Sequence, residues 1–207
     1  MQQTNNPLLD SANHSRKPQG RWMLLFLFLF FAAPLIVVTV MYQLDWHPSG
    51  ASRGNMVMPV KPINMPDNLL DSAGHVVPAT LMKEKWSMVY VADQCDEACS
   101  RRLYEMRQIH TSLSKHIPRV QRILLTNTAD VHALKEKYPD LIVLNQLSAE
   151  HSMLMQQFDL EGVNAATGER VYFVDPLGFL MMSYPVSIAA SDIRKDLSRL
   201  LVYTWAG

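Results

Sequence analysis

Trp22–Tyr42 contains no charged residue and is dominated by Leu, Phe and Val. That one property divides the chain. The bilayer core offers no water to backbone N–H and C=O groups, so a crossing segment must satisfy them itself, which a helix does. At about 1.5 Å per residue, the stretch is long enough to span a hydrocarbon layer of ~30 Å. Pro34 inside it is tolerated in such helices. Arg16, Lys17 and Arg21 precede the span and Asp45 follows it. Positive charge stays on the cytoplasmic side, so the N-terminus is expected in the cytoplasm and the rest exported. Trp22 and Trp46 flank the span as interfacial anchors do. A cleavable signal peptide is the rival reading. The apolar run is long for one, and Ala32-Ala33-Pro34 is a poor small-x-small cleavage site, which favours an uncleaved anchor.

The organisation of the 207-residue chain follows from that division. Residues 1–21 are expected to be a polar cytoplasmic tail, 22–42 the transmembrane anchor, 43–62 a linker and 63–207 one globular domain. The linker reading rests on Pro48, Gly50, Gly54, Pro59 and Pro62 among scattered Ser, Asn and Met. Met41, Met56, Met58 and Met65 lie near it; a thioether is a soft ligand for reduced copper, although Met is common throughout the chain. A formal net charge of +0 with no basic stripe argues against nucleic acid as a partner.

The chain's only two cysteines, Cys95 and Cys99, lie in Trp86–Arg107 between an apolar run and a helical pattern. Ser87–Ala92 reads as a strand buried on both faces. From Asp96 to His110 the apolar residues Ala98, Leu103, Met106 and Ile109 recur at helical spacing. The thiols are therefore expected at a strand-to-helix turn, where free N–H groups and the helix dipole favour a thiolate. Cys99, if in the first turn, is expected to be the more perturbed, with Arg101 and Arg102 adding positive charge and Asp96 and Glu97 opposing them. Three intervening residues let the pair close a disulfide or grip one soft metal ion. A purely stabilising disulfide is the bland alternative, though closing so short a loop removes little unfolded-state entropy.

Further along, Asn68–Val77 reads as two short strands about Gly74, Val120–Thr126 and Leu141–Leu144 as strands, and Ser148–Phe158 as a helix capped by Ser148. Asn127, Thr128 and Asp130 are candidate caps for a helix running through Lys137. Val171–Val174 and Phe179–Ser183 form a hairpin about Asp175-Pro176-Leu177-Gly178, and Ser191–Tyr203 closes the chain as an amphipathic helix. Strands alternating with helices give an α/β sandwich of three layers. No HExxH, phosphate loop or GxSxG is present.

The order strand, CxxxC, helix, strand, helix, hairpin, helix resembles the thioredoxin superfamily, which implies a mixed sheet flanked by helices. Within it, the N-terminal anchor, NLLDSAGHVV, KEKWSMVYVADQCDEAC and YFVDPLGFL together resemble the Sco/SenC family over about Ile63 to Tyr203. That family consists of membrane-anchored copper-delivery proteins for cytochrome c oxidase, in which two thiolates and one histidine bind copper and the thiols can cycle through a disulfide. The resemblance implies a single-pass inner-membrane protein with a periplasmic domain, partnered by an oxidase subunit or other assembly factors. It carries over to Cys95 and Cys99, both as redox-active cysteines and as copper ligands. The histidine does not carry over: Asn164–Arg170 holds none, and Ala98 stands where a Pro commonly precedes the second cysteine. Two thiolates alone can hold Cu(I), whereas Cu(II) needs nitrogen or oxygen donors too.

His75, His110, His116, His132 and His151 remain as replacements. His110, His116, His132 and His151 all read as surface residues; His151, with Met153 and Met155 on its helix, is the best of the group for a third ligand. The leading expectation is an oxidase assembly factor that handles copper, reduces the cysteines of the copper site, or both. The alternatives are a general periplasmic thiol-disulfide oxidoreductase and a diverged scaffold without catalysis.

Overall fold

The computed structural model describes residues 19–44 and 52–204, in two units that part at Gly50. Asp45, Trp46 and nearly all of the expected tail lie outside the described residues. The N-terminal unit holds one helix, α1 (Gln19–Gln43), with Pro34 inside it. Its apolar side chains are exposed around the whole circumference, as in a helix meant for lipid rather than for a protein core. Arg21–Gln43 is long and apolar enough to cross a membrane.

The second unit opens with β1 (Asn55–Pro62), followed by β2 (Trp86–Ala92), α2 (Glu97–Thr111), a 3-10 turn at Ser114–Arg119, β3 (Val120–Thr126), α3 (His132–Lys137) and β4 (Ile142–Leu144). Then come α4 (Ala149–Gln156), β5 (Val171–Val174), β6 (Phe179–Tyr184) and α5 (Ala190–Tyr203). One six-stranded sheet runs in the order β1-β6-β5-β2-β3-β4. β2, β3 and β4 are parallel, while β5 runs antiparallel to β2 and β6, and β1 antiparallel to β6.

Every residue of β2 is buried, because the strand lies inside the sheet and both of its faces are covered. On one face Met88, Tyr90 and Leu124 pack with Cys99, Leu103 and Met106 of α2 and with Ile193 and Leu197 of α5. On the other, Val89, Val91, Ile123 and Leu125 pack with Leu154 and Met155 of α4 and with Leu69, Val77 and Met82. These are the three expected layers. Trp86 sits buried at the entry of β2, and Asp175 Oδ1 accepts from the backbone N–H of Leu177 and Phe179 in the β5–β6 turn.

Three details depart from expectation. The stretch read as a linker contains β1, an edge strand with an irregular register between Met56 and Lys61. Pro59 and Pro62 fit there because an edge strand can spare N–H groups that a central strand cannot. The hairpin read over Asn68–Val77 is reduced to a single Leu70–Val76 bridge, held by Asp71 Oδ1, which accepts from Ala73 and His75 N–H. α3 starts after Val131 without a side-chain cap, although Asp130 Oδ1 accepts from His132 N–H.

Candidate functional site

The end of β2 is fastened before the cysteines begin. Asp93 O accepts from Asn127 N–H at 2.9 Å and from Thr126 Oγ1 at 3.2 Å, and Asp93 Oδ1 accepts from Asn127 Nδ2 at 2.7 Å. Asp93 N–H donates to Ala166 O at 3.3 Å, joining this turn to the segment that leads into β5. Cys95 N–H then donates to Thr128 Oγ1 at 2.7 Å. Thr128 and Asn127 follow β3 directly, and the parallel register of β2 with β3 carries them to the cysteine turn.

Asp96 is the N-cap of α2, its Oδ1 accepting from Cys99 N–H at 3.0 Å. Cys99 thus occupies the third helical position and Cys95 the residue before the cap. The two are joined as a disulfide, with Cα atoms 5.0 Å apart. Cys99 is buried at 1% exposure and Cys95 is half-buried. The accessible sulfur is therefore Cys95, in the N-terminal place, rather than the first-turn Cys99 to which the sequence directed attention. Ala98, between them, is partly exposed.

The surrounding charges are more balanced than the sequence suggests. Arg102 is buried, and its Nη1 lies 2.6 Å from Glu105 Oε2, so its charge is committed to that pair. Arg101 is exposed. Tyr90, beneath the first turn of α2, has its phenol pushed up to about 12 by burial, with Glu169 adding to the effect and Arg102 opposing it. Glu169 is exposed, two residues ahead of β5. Because β5 is antiparallel to β2, with Val171 opposite Tyr90, the segment entering β5 comes to the cysteine end of the sheet.

The histidines do not gather here. His110 and His151, expected at the surface, are both buried, because each finds a backbone carbonyl to bond. His110 Nε2 lies 3.0 Å from Val120 O. His151 is fully buried, with Nε2 2.9 Å from Leu144 O. That bond places the proton on Nε2 and leaves Nδ1 buried without a partner. Its helix α4 packs in the apolar layer opposite the one containing Cys99. His75 and His132 are exposed, and His116 is half-buried beside Arg119.

Among the described residues no group of three or more His, Cys, Asp or Glu could hold a metal ion. The donors brought together are two sulfurs, here oxidised, and not the three-donor set that the sequence resemblance implies. Cys95 and Cys99 were legible from sequence because they are local. Thr128, Tyr90 and Glu169 were not, since each arrives from a different element. The cap at Asp96 carries its own sequence signal, an Asp three residues ahead of a first-turn position.

The family described as transmembrane-like, thioredoxin-like, C-terminal domain matches residues 86–204, more than half of the chain. The chain belongs to that family. No curated protein matches the sequence significantly. Among solved structures, Bradyrhizobium japonicum ScoI with copper bound is similar at 18% identity and a TM-score of 0.53, covering 66% of this chain and 98% of that one. Yeast Sco1 with copper bound is similar at 16% identity and 0.57, covering 69% and 94%. BsSco, described through a disulfide switch and as a member of the Sco family of cytochrome c oxidase assembly proteins, is similar at 16% identity and 0.50, covering 72% and 100%. The Sco fold is thus the fold of this thioredoxin-like family member, as its sequence motifs implied.

Proposed function

We propose that this chain is a membrane-anchored thiol-disulfide exchange protein of cytochrome c oxidase assembly, whose Cys95–Cys99 pair reduces the cysteines of a copper site on a partner subunit. The observation that carries the reading is the pair itself: an N-terminal sulfur that is accessible and a second one buried in the first turn of a helix, at the end of a central strand. In the reduced state the Cys95 thiolate attacks a partner disulfide, and Cys99 then attacks Cys95 Sγ, releasing the partner as a dithiol. Two electrons pass to the partner and the Cys95–Cys99 bond forms. The likeness to BsSco supports the assembly setting, α1 supports a single-span anchor, and Arg16, Lys17 and Arg21 ahead of the span support a periplasmic domain.

A second reading is that the reduced pair carries Cu(I) as cargo between its two thiolates. The copper-bound structures that share this fold favour it. It stands second because no third donor joins Cys95 and Cys99 among the described residues.

One preparation tests both. Full-length protein in detergent is equilibrated with thiol redox buffers, and the reduced form is titrated anaerobically with Cu(I) against a competing chelator, with Cys95→Ser and Cys99→Ser as controls. Exchange activity predicts a potential between about −270 and −120 mV, the range of catalytic thiol proteins. A potential below about −300 mV marks a structural bond and overturns the exchange reading. One ion bound tightly and lost in both variants would move cargo transport to first place.

A further inference from the structure

Beside the disulfide lies a cavity of about 380 Å³ that the exchange reaction has not accounted for. One wall is the N-terminal half of α2, through Ala98, Arg101, Arg102 and Glu105; Tyr90 lines it from β2, with Glu169 and Val186 completing it. Ala98 lies inside the loop that the disulfide closes, and Tyr90 packs in the same apolar cluster as Cys99 and Cys95. The cavity and the disulfide therefore share a wall.

Its charges are unevenly committed. Arg102 and Glu105 neutralise one another at 2.6 Å. Arg101 and Glu169 are both exposed, and neither forms an ion pair or hydrogen bond with any described residue. Val186, 60% exposed, supplies an apolar surface beside them. The cavity thus offers one cation, one anion and an apolar contact beside Ala98, inside the loop that the disulfide closes. Those are the features of a cysteinyl peptide, with an ammonium or guanidinium group and a carboxylate on either side of its thiol.

We propose that this cavity binds a cysteinyl peptide as the thiol partner of Cys95, with Arg101 receiving its carboxylate and Glu169 its cationic group. The proposal rests on the exchange reading and names the class of reductant that returns the oxidised pair to its dithiol form. The peptide's thiolate attacks Cys95 Sγ, the Cys95–Cys99 bond breaks, and its electron pair leaves on Cys99 Sγ, which takes a proton from water. A second cysteinyl thiolate attacks the peptide sulfur of the mixed disulfide and releases Cys95 as thiolate. Two peptide thiols are oxidised to one peptide disulfide as the protein pair is reduced.

The test follows reduction of the oxidised full-length protein in detergent by four thiols, quenched with a maleimide mass tag and compared at equal thiolate concentration. β-Mercaptoethanol carries no charge beside its thiol, N-acetylcysteine a carboxylate, cysteine methyl ester an ammonium group, and glutathione both. Arg101→Gln is expected to slow N-acetylcysteine and glutathione about two- to fivefold, the size of an exposed ion pair, and Glu169→Gln to slow cysteine methyl ester and glutathione similarly. The change each variant makes to the rate with β-mercaptoethanol sets the baseline for folding and intrinsic reactivity, and the slowing expected for the charged thiols is measured relative to it. Rates that fall equally for all four thiols, or for none, overturn the cavity's role while leaving exchange intact. A pair that resists every thiol overturns the exchange reading as well.

A capped peptide Lys-Cys-Glu identifies the source of the chemistry. Variant-sensitive rates with this peptide alone assign the site to a segment of a partner protein, and with glutathione alone to a free thiol peptide.

Discussion

Asp96 sits where two opposing effects can be separated by choice of substitution. Its carboxylate caps α2 through Cys99 N–H at 3.0 Å, which stabilises the helix, and places a negative charge next to Cys99 Sγ, the sulfur that receives the electron pair when the disulfide opens. From backbone dimensions the carboxylate is about 6 Å from Cys99 Sγ. At an effective dielectric constant between ~40 and ~80, two like charges at that distance repel by about 0.7–1.4 kcal/mol. Asp96→Ser keeps a capping oxygen and removes the charge; Asp96→Ala removes both. In each, the thiolate is expected to titrate lower by about half to one pH unit. The potential should rise by up to about 30 mV, because the reduced form gains that stabilisation. Only Asp96→Ala should also lose about 1 kcal/mol of domain stability through the missing cap. Thiolate absorbance near 240 nm against pH reads the first effect, redox buffers the second and denaturant unfolding the third. A thiolate that titrates unchanged or higher in Asp96→Ser, with helix content intact, would refute the assignment of Asp96 as the opposing charge.

Two further outcomes test features away from the cysteines. Burial holds His151 below the usual histidine range, with its bond to Leu144 O opposing. The unfolded chain therefore takes up the proton first, so stability is full above about pH 6.5 and falls below it by up to about 1.4 kcal/mol per pH unit. Unfolding at pH 7.5 and 5.5 should show a smaller acid loss in His151→Leu than in the parent, and equal losses would count against the argument. Asp196, buried at 4% exposure, accepts from Ser52 Oγ, from Arg53 and Gly54 N–H and from Tyr184 Oη. Asp196→Ala should cost about 1–3 kcal/mol in urea unfolding, since Tyr184 Oη loses its carboxylate acceptor inside the domain. A loss under 0.5 kcal/mol would mean that the start of β1 is held elsewhere.

What the sequence disclosed was local. β2, β3 and the β5–β6 hairpin announce themselves as apolar runs bounded by turn residues, and Cys95 and Cys99 lie within one turn of each other. β1 was hidden because its two prolines and exposed flanks resemble a linker, and only pairing with β6 makes a strand of it. His110 and His151 look like surface residues on polar helices; their burial depends on the carbonyls of Val120 and Leu144, which the fold brings to them. Tyr90, Thr128 and Glu169 belong to the site only through the sheet's register, which no spacing along the chain encodes.

The reversal of β5 against β2 has a consequence for how such a domain can change its trade. The segment that enters β5 lies beside the cysteines, while the turn that leaves it, Asp175–Gly178, lies at the far end of the sheet. Within the entering segment Ala165 is buried in one apolar layer, whereas Thr167 and Glu169 are exposed and can change without disturbing either layer. Substitution at these two positions can thus alter what the cysteine end of the sheet meets while the scaffold stays as it is.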